Sequence, residues 1–181
     1  MASTYPRVSQ ILQAAGLGPD FSGVPARILE SASARGTSGH ALIAAHRYGY
    51  LDPGEVAPPA YLAFLEESGW TPEVCEFEVV SSRWRFVGHP DCRGWMAARR
   101  GLLDWKFTDS LDVVPVQRQL AGYRLAWQEQ HPDQPIAFCA AVQFLSTGRP
   151  KFHEFTKDEM DQATNEFQAA CVCYYARRRK A

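Results

Sequence analysis

GLLDWKF, residues 101 to 107, sets an aspartate and a lysine two positions apart in an otherwise apolar run. In an extended chain alternate residues share a face, so Asp104 and Lys106 project together while Leu103 and Trp105 point the other way, into a core. Asp91 stands thirteen residues earlier, at the end of RFVGHPD, and a hairpin through GWMAARRG would bring it beside Asp104 on a neighbouring strand. Two carboxylates held together repel each other. The arrangement is tolerated when a divalent cation sits between them, and hard oxygen donors favour Mg2+ or Mn2+. A lysine at the same place can polarise a water or stabilise charge on a phosphate. An ordinary salt bridge between Asp104 and a nearby base is the alternative that this fragment leaves open.

The elements that must hold these groups follow from pattern. Ser9 can cap a short helix that stops near Gly16 and Gly18. Residues 25 to 49 read as helical, and Arg35, Gly36 and Thr37 are where a break could fall; the loop LDPGEVAPP leads into a helix over 59 to 68 that Gly69 ends. From Glu73 the pattern changes to strands: CEFEVVSS, WRFVGHPD, GWMA and GLLDWKF. On the first of them Glu76 and Glu78 read as solvated residues, one of which could support the site as a neighbouring acid, and alternation turns His89 away from Asp91. After Pro115, VQRQLAGYRLAWQEQH returns to helical spacing, with Val116, Leu120, Tyr123 and Trp127 on one stripe. PIAFCAAVQFL is a buried strand, STGRP a turn, KFHEF its partner, and a last helix runs from about Asp158 to Arg178. This order predicts an α/β domain over residues 1–181 with one mixed sheet, a size and a 46% hydrophobic content suited to a single core.

The net charge of −1 hides a segregation. Residues 51 to 75 hold five acids and no base, whereas 83 to 106 carry Arg83, Arg85, Arg93, Arg99, Arg100 and Lys106, and the chain closes on Arg177, Arg178, Arg179 and Lys180. A basic surface around an acidic site suits a polyanionic partner, although RRRK alone also fits a solvated tail. No apolar run approaches the ~20 residues of a membrane span, and MASTYPRVSQ lacks the regions of a secretory signal, so a cytoplasmic protein is expected. The five cysteines are odd in number and form no CxxC pair, which suits free thiols in a reducing compartment.

Taken together, RGTSGH (35–40), GHPD (88–91), LLDWK (102–106) and QLAGY (119–123) resemble the RecB-like branch of the PD-(D/E)XK nuclease superfamily, whose G-x-x-x-H helix, G-x-x-D strand, D-x-K strand and Q-x-x-x-Y helix occur here in order. The start, YPRVSQIL, is similar to that of phage-type and mitochondrial-genome-maintenance exonucleases of this branch. The resemblance implies a restriction-endonuclease-like core, a central mixed sheet flanked by helices in the order αβββαβ. It implies a Mg2+- or Mn2+-dependent deoxyribonuclease, an exonuclease on DNA ends in phage or bacterial recombination, replication or repair, with an endonuclease or an inactive DNA- or protein-binding module as alternatives. His40, Asp91, Asp104 and the carbonyl of Trp105 would ligate the metal, Lys106 would position or activate the attacking water, and Gln119 and Tyr123 would line the site. Arg35, Arg93, Arg99, Arg100 and Arg118 are candidate phosphate contacts. DNA is the implied partner, with a single-strand annealing or replication protein as a possible second in a bacterial or phage-infected cell. Phe107 departs from the family's frequent Thr or Ser after the lysine. The iron-sulfur cluster of some relatives is not expected, because no cysteine precedes Cys75.

Overall fold

The computed structural model describes residues 5–178, so Arg179 and Lys180 of the basic tail lie outside the described residues. In chain order the elements are α1 (Val8–Ala14), α2 (Ala26–Tyr48), α3 (Pro59–Ser68), β1 (Thr71–Cys75), β2 (Val79–Ser81), β3 (Phe86–Gly88), β4 (Cys92–Met96), β5 (Arg99–Lys106), α4 (Val113–Gln130), β6 (Phe138–Phe144), β7 (Pro150–Glu154) and α5 (Lys157–Arg178). Five strands form a mixed sheet in the order β1-β4-β5-β6-β7. Only β5 and β6 run parallel, and α4 makes the crossover a parallel pair requires. The expected αβββαβ core is present as α2, β1, β4, β5, α4 and β6. The hairpin β2-β3 is a separate two-stranded sheet inserted into it.

Helices cover both faces, which is why β5 and β6 are apolar almost throughout. One face packs Leu102 and Cys139 against Val8, Ile11, Leu120 and Phe167 of α1, α4 and α5. The other packs Leu103, Trp105 and Val142 against Ile43, Tyr61 and Phe64 of α2 and α3. Asp104 shares the first face with Leu102, so it is enclosed between the sheet and α4 rather than turned toward water, and only 1% of it is exposed.

Four local expectations are corrected. CEFEVVSS is not one strand: the backbone enters the left-handed region at Glu76 (φ 52°), β1 ends there, and β2 joins the other sheet. Asp91 does not end the strand RFVGHPD but directly precedes β4, since β3 stops at Gly88. The α2 helix passes unbroken through Gly36, and Gly49 (φ 72°) ends it. At the chain start the cap of α1 is Arg7, whose backbone N–H donates to Gln10 Oε1 at 2.8 Å, and Ser9 lies within the helix. Among the described residues no helix is long and apolar enough to cross a membrane.

Candidate metal centre

The β4-β5 hairpin pairs Cys92 with Leu103, which sets Asp91 and Asp104 side by side at the end of the hairpin away from its turn. The backbone N–H of Trp105 donates to Asp91 Oδ2 at 2.7 Å, fixing that carboxylate at the strand edge. From α2, His40 reaches over the end of β5. Its Nε2 donates to the Trp105 carbonyl at 3.0 Å, and its Nδ1 lies 3.2 Å from Glu76 Oε1 and 3.5 Å from Asp91 Oδ1. The helix can approach this closely because Gly39 has no side chain: a Cβ there would lie 2.2–2.6 Å from the Phe107 ring. Phe107, which replaces the polar residue expected after the lysine, is thus the seat on which α2 rests.

Both nitrogens of His40 face acceptors, the pattern of an imidazolium. Burial disfavours the charged ring, but the hydrogen bond with Glu76 and the charges of Asp91, Glu76 and Asp104 outweigh it and raise the pKa to about 9. Asp91 moves the same way for a different reason: burial, then the neighbouring Asp104, lifts it to about 7 against the pull of His40 and Lys106. Lys106 Nζ stands 2.5 Å from Asp104 Oδ2. Burial works against the ammonium, yet Asp104 and Asp91 hold its pKa above the ordinary lysine range, so Lys106 is a cation at neutral pH. Apart from that ion contact, neither oxygen of Asp104 receives a well-formed hydrogen bond, although both are buried. Buried carboxylate oxygens without donors are costly unless a cation compensates them.

These residues fit a divalent cation. One donor atom each from His40, Glu76 and Asp91 lies within 4.8 Å of the others, and the set of carboxylates, a carbonyl and an imidazole suits Mg2+ or Mn2+. Glu76, read from the sequence as a solvated residue, is brought into the centre by the backbone turn at its own position. Glu78 instead lies 3.7 Å from His89. Asp104 stands behind this group on the buried side, against Lys106.

The centre opens onto a cleft of about 890 Å3 that Gly36, Thr37, His40, Glu76, Lys106, Phe107 and Gln119 help to line. Gln119 Nε2 donates to the Tyr123 hydroxyl at 2.7 Å. Tyr123 is itself buried, with its ring against Gly88, and burial raises its phenol pKa. Arg35 lines an adjoining hollow with Phe107 and Asp109. The other expected phosphate contacts are engaged elsewhere. Arg93 bonds Glu73 at 3.0 Å and lies 3.9 Å over the Trp127 ring; Arg118 is 2.5 Å from Glu166. Arg99 forms a paired contact with Glu154 and Arg100 approaches Glu73 at 3.7 Å, both at the far end of β5, about 20 Å along the strand from Lys106.

No family model matches the chain, and no curated protein matches it in sequence. Among solved structures, a proposed exonuclease from Eubacterium rectale superposes with a TM-score of 0.53 at 10% identity, over 88% of this chain and 69% of that one. LHK-Exo in complex with dAMP gives a TM-score of 0.42 at 13% identity, over 96% and 89%. An alkaline exonuclease, LHK-Exo, from Laribacter hongkongensis gives 0.36 at 14%, over 97% and 93%. At 10% identity the first likeness is one of fold.

Proposed function

We propose that the chain is a single-domain, divalent-metal-dependent nuclease that hydrolyses phosphodiester bonds of DNA, acting as an exonuclease on DNA ends. The observation that carries this reading is the convergence of His40, Glu76 and Asp91 within 4.8 Å at the wall of a cleft that Lys106 also lines. The exonuclease name of the Eubacterium rectale protein points the same way. His40, Glu76, Asp91 and the Trp105 carbonyl would hold the cation, with Asp104 as an inner carboxylate.

When bound, the cation supplies an activated water and draws charge from the phosphate. The chain's own groups have separable parts. Lys106 is positively charged, so it attracts the scissile phosphate and orients the attacking water by donating hydrogen bonds. Asp104 keeps that ammonium aimed into the cleft through the 2.5 Å contact. Gln119, tied to Tyr123, presents a polar edge to the substrate. Arg35 is placed to meet a phosphate one step along the strand.

The test is incubation of end-labelled linear and closed circular DNA with Mg2+, Mn2+ or EDTA. Degradation of linear DNA alone, only with metal, supports the exonuclease. Nicking of circles makes the enzyme an endonuclease, and absence of cleavage with every metal removes the nuclease reading.

A further inference from the structure

The basic segment 83–85 and the last turns of α5, far apart in sequence, meet on a face that shares no residue with the cleft. Arg83, Trp84 and Arg85 follow β2 at the tip of the small hairpin, and with Cys171, Val172 and Tyr175 of α5 they line a shallow groove of about 270 Å3. The tip is held from behind. Both carboxylate oxygens of Glu129 are used, accepting from the Ser81 hydroxyl at 2.5 Å and from the backbone N–H groups of Ser82 and Arg83 at 2.9 and 3.0 Å.

The guanidinium groups rest on aromatic rings. Arg83 lies 5.8 Å over Trp84, Arg85 lies 5.2 Å over Tyr175, and Arg178 lies 4.4 Å over Tyr174, whose ring is 5.3 Å from that of Tyr175. Such seats orient a guanidinium while leaving its N–H edge available to an anion. No acid occurs between Glu78 and Asp91 or after Glu166, Glu129 is bound to the hydroxyl and backbone N–H groups of the tip, and among the described residues Arg83, Arg85 and Arg178 have no ion-pair partner.

Arg85 adds a second observation. It adopts φ 59°, a backbone conformation that glycine takes without strain, and the Tyr175 hydroxyl donates to its carbonyl to hold it there.

We propose that this face is a docking surface for the phosphate backbone of DNA, separate from the cleft, which retains the polymer between cleavage events. The choice of DNA among polyanions rests on the nuclease reading; the anion site itself does not. The measurement is fluorescence anisotropy of a labelled thirty-nucleotide oligo(dT) in EDTA, where binding is read without hydrolysis. Arg83→Gln/Arg85→Gly should bind at least tenfold more weakly at ~0.1 M salt, with the slope of log K against log salt smaller by about 1.4, two single-strand phosphate contacts. Its melting temperature should hold or rise, because glycine relieves residue 85. Arg83→Glu alone, which leaves the backbone at residue 85 untouched, should also weaken binding. Unchanged affinity and slope in folded variants overturn the proposal, as does binding of anionic phospholipid vesicles without binding of the oligonucleotide. Cleavage of the same oligonucleotide in Mn2+ tests the nuclease reading separately.

Discussion

Replacing Asp104 by asparagine should affect the stability of the metal-free protein more favourably at pH 8 than at pH 5. Folding raises the Asp91 pKa from 3.8 to about 7, through burial first and Asp104 second. A carboxyl raised in this way holds a proton in the folded state that the unfolded chain has released. Its contribution is therefore fully present below pH 3.8 and lost as pH rises toward 7, in all about 4 kcal/mol at 1.36 kcal/mol per pKa unit. Burial persists in the variant, so the share relieved by removing the Asp104 charge is about 1–2 kcal/mol. The contact with Lys106 is lost at either pH, so at 2–4 °C per kcal/mol for a chain of this length the melting-temperature change caused by Asp104→Asn should be about 2–8 °C more favourable at pH 8 than at pH 5 in EDTA. At pH 5 Asp91 is already protonated and neutral. There the substitution removes only the 2.5 Å contact with Lys106, and the variant should melt lower. Scanning calorimetry of both proteins at pH 5 and 8 decides the matter. The same change in melting temperature at both values would make Asp104 a structural salt-bridge partner alone and refute the argument that two carboxylates are forced together.

Lys106→Ala should bind Mn2+ with near-wild-type affinity yet cleave DNA at least ~100-fold more slowly, since its ammonium acts on phosphate and water; wild-type turnover would remove its assigned role. Metal affinity should rise steeply with pH, up to about tenfold per unit between pH 7 and 9, because the cation must displace the proton that His40 holds up to about 9. Calorimetry in buffers of different ionisation enthalpy would register the released proton, and a flat pH profile would count against His40 as a ligand. Gly39→Ala should cost about 1–3 kcal/mol by driving a methyl into the Phe107 ring, and Phe107→Ala should relieve part of that cost in the double variant. Additive melting-temperature losses would show that the two residues do not press on each other.

The pairing of Asp91 with Asp104 was legible in the sequence because a short hairpin and a period of two fix which side chains stand together. The place of Glu76 was not. Alternation continues past Glu76 through CEFEV, and the turn that ends β1 depends on a left-handed residue that carries no glycine to announce it. The unbroken α2 follows a similar logic: Gly36 reads as a breaker, but Gly39 packed on Phe107 and Ile43 in the core anchor the helix just beyond it. Arginine placement was the least legible. Arg93 and Arg99 are neutralised by Glu73 from β1 and Glu154 from β7, partners that only the folded sheet supplies.

The central claim is that the group around His40 holds a divalent cation. Pulsed electron paramagnetic resonance of Mn2+ added to the protein at pH 8 tests it most directly. The account predicts bound Mn2+ coupled to one imidazole nitrogen, with the coupling lost in His40→Gln and binding itself weakened in Glu76→Gln and Asp91→Asn. Mn2+ that stays free at millimolar concentration, or binds with a coupling that survives His40→Gln, would contradict it.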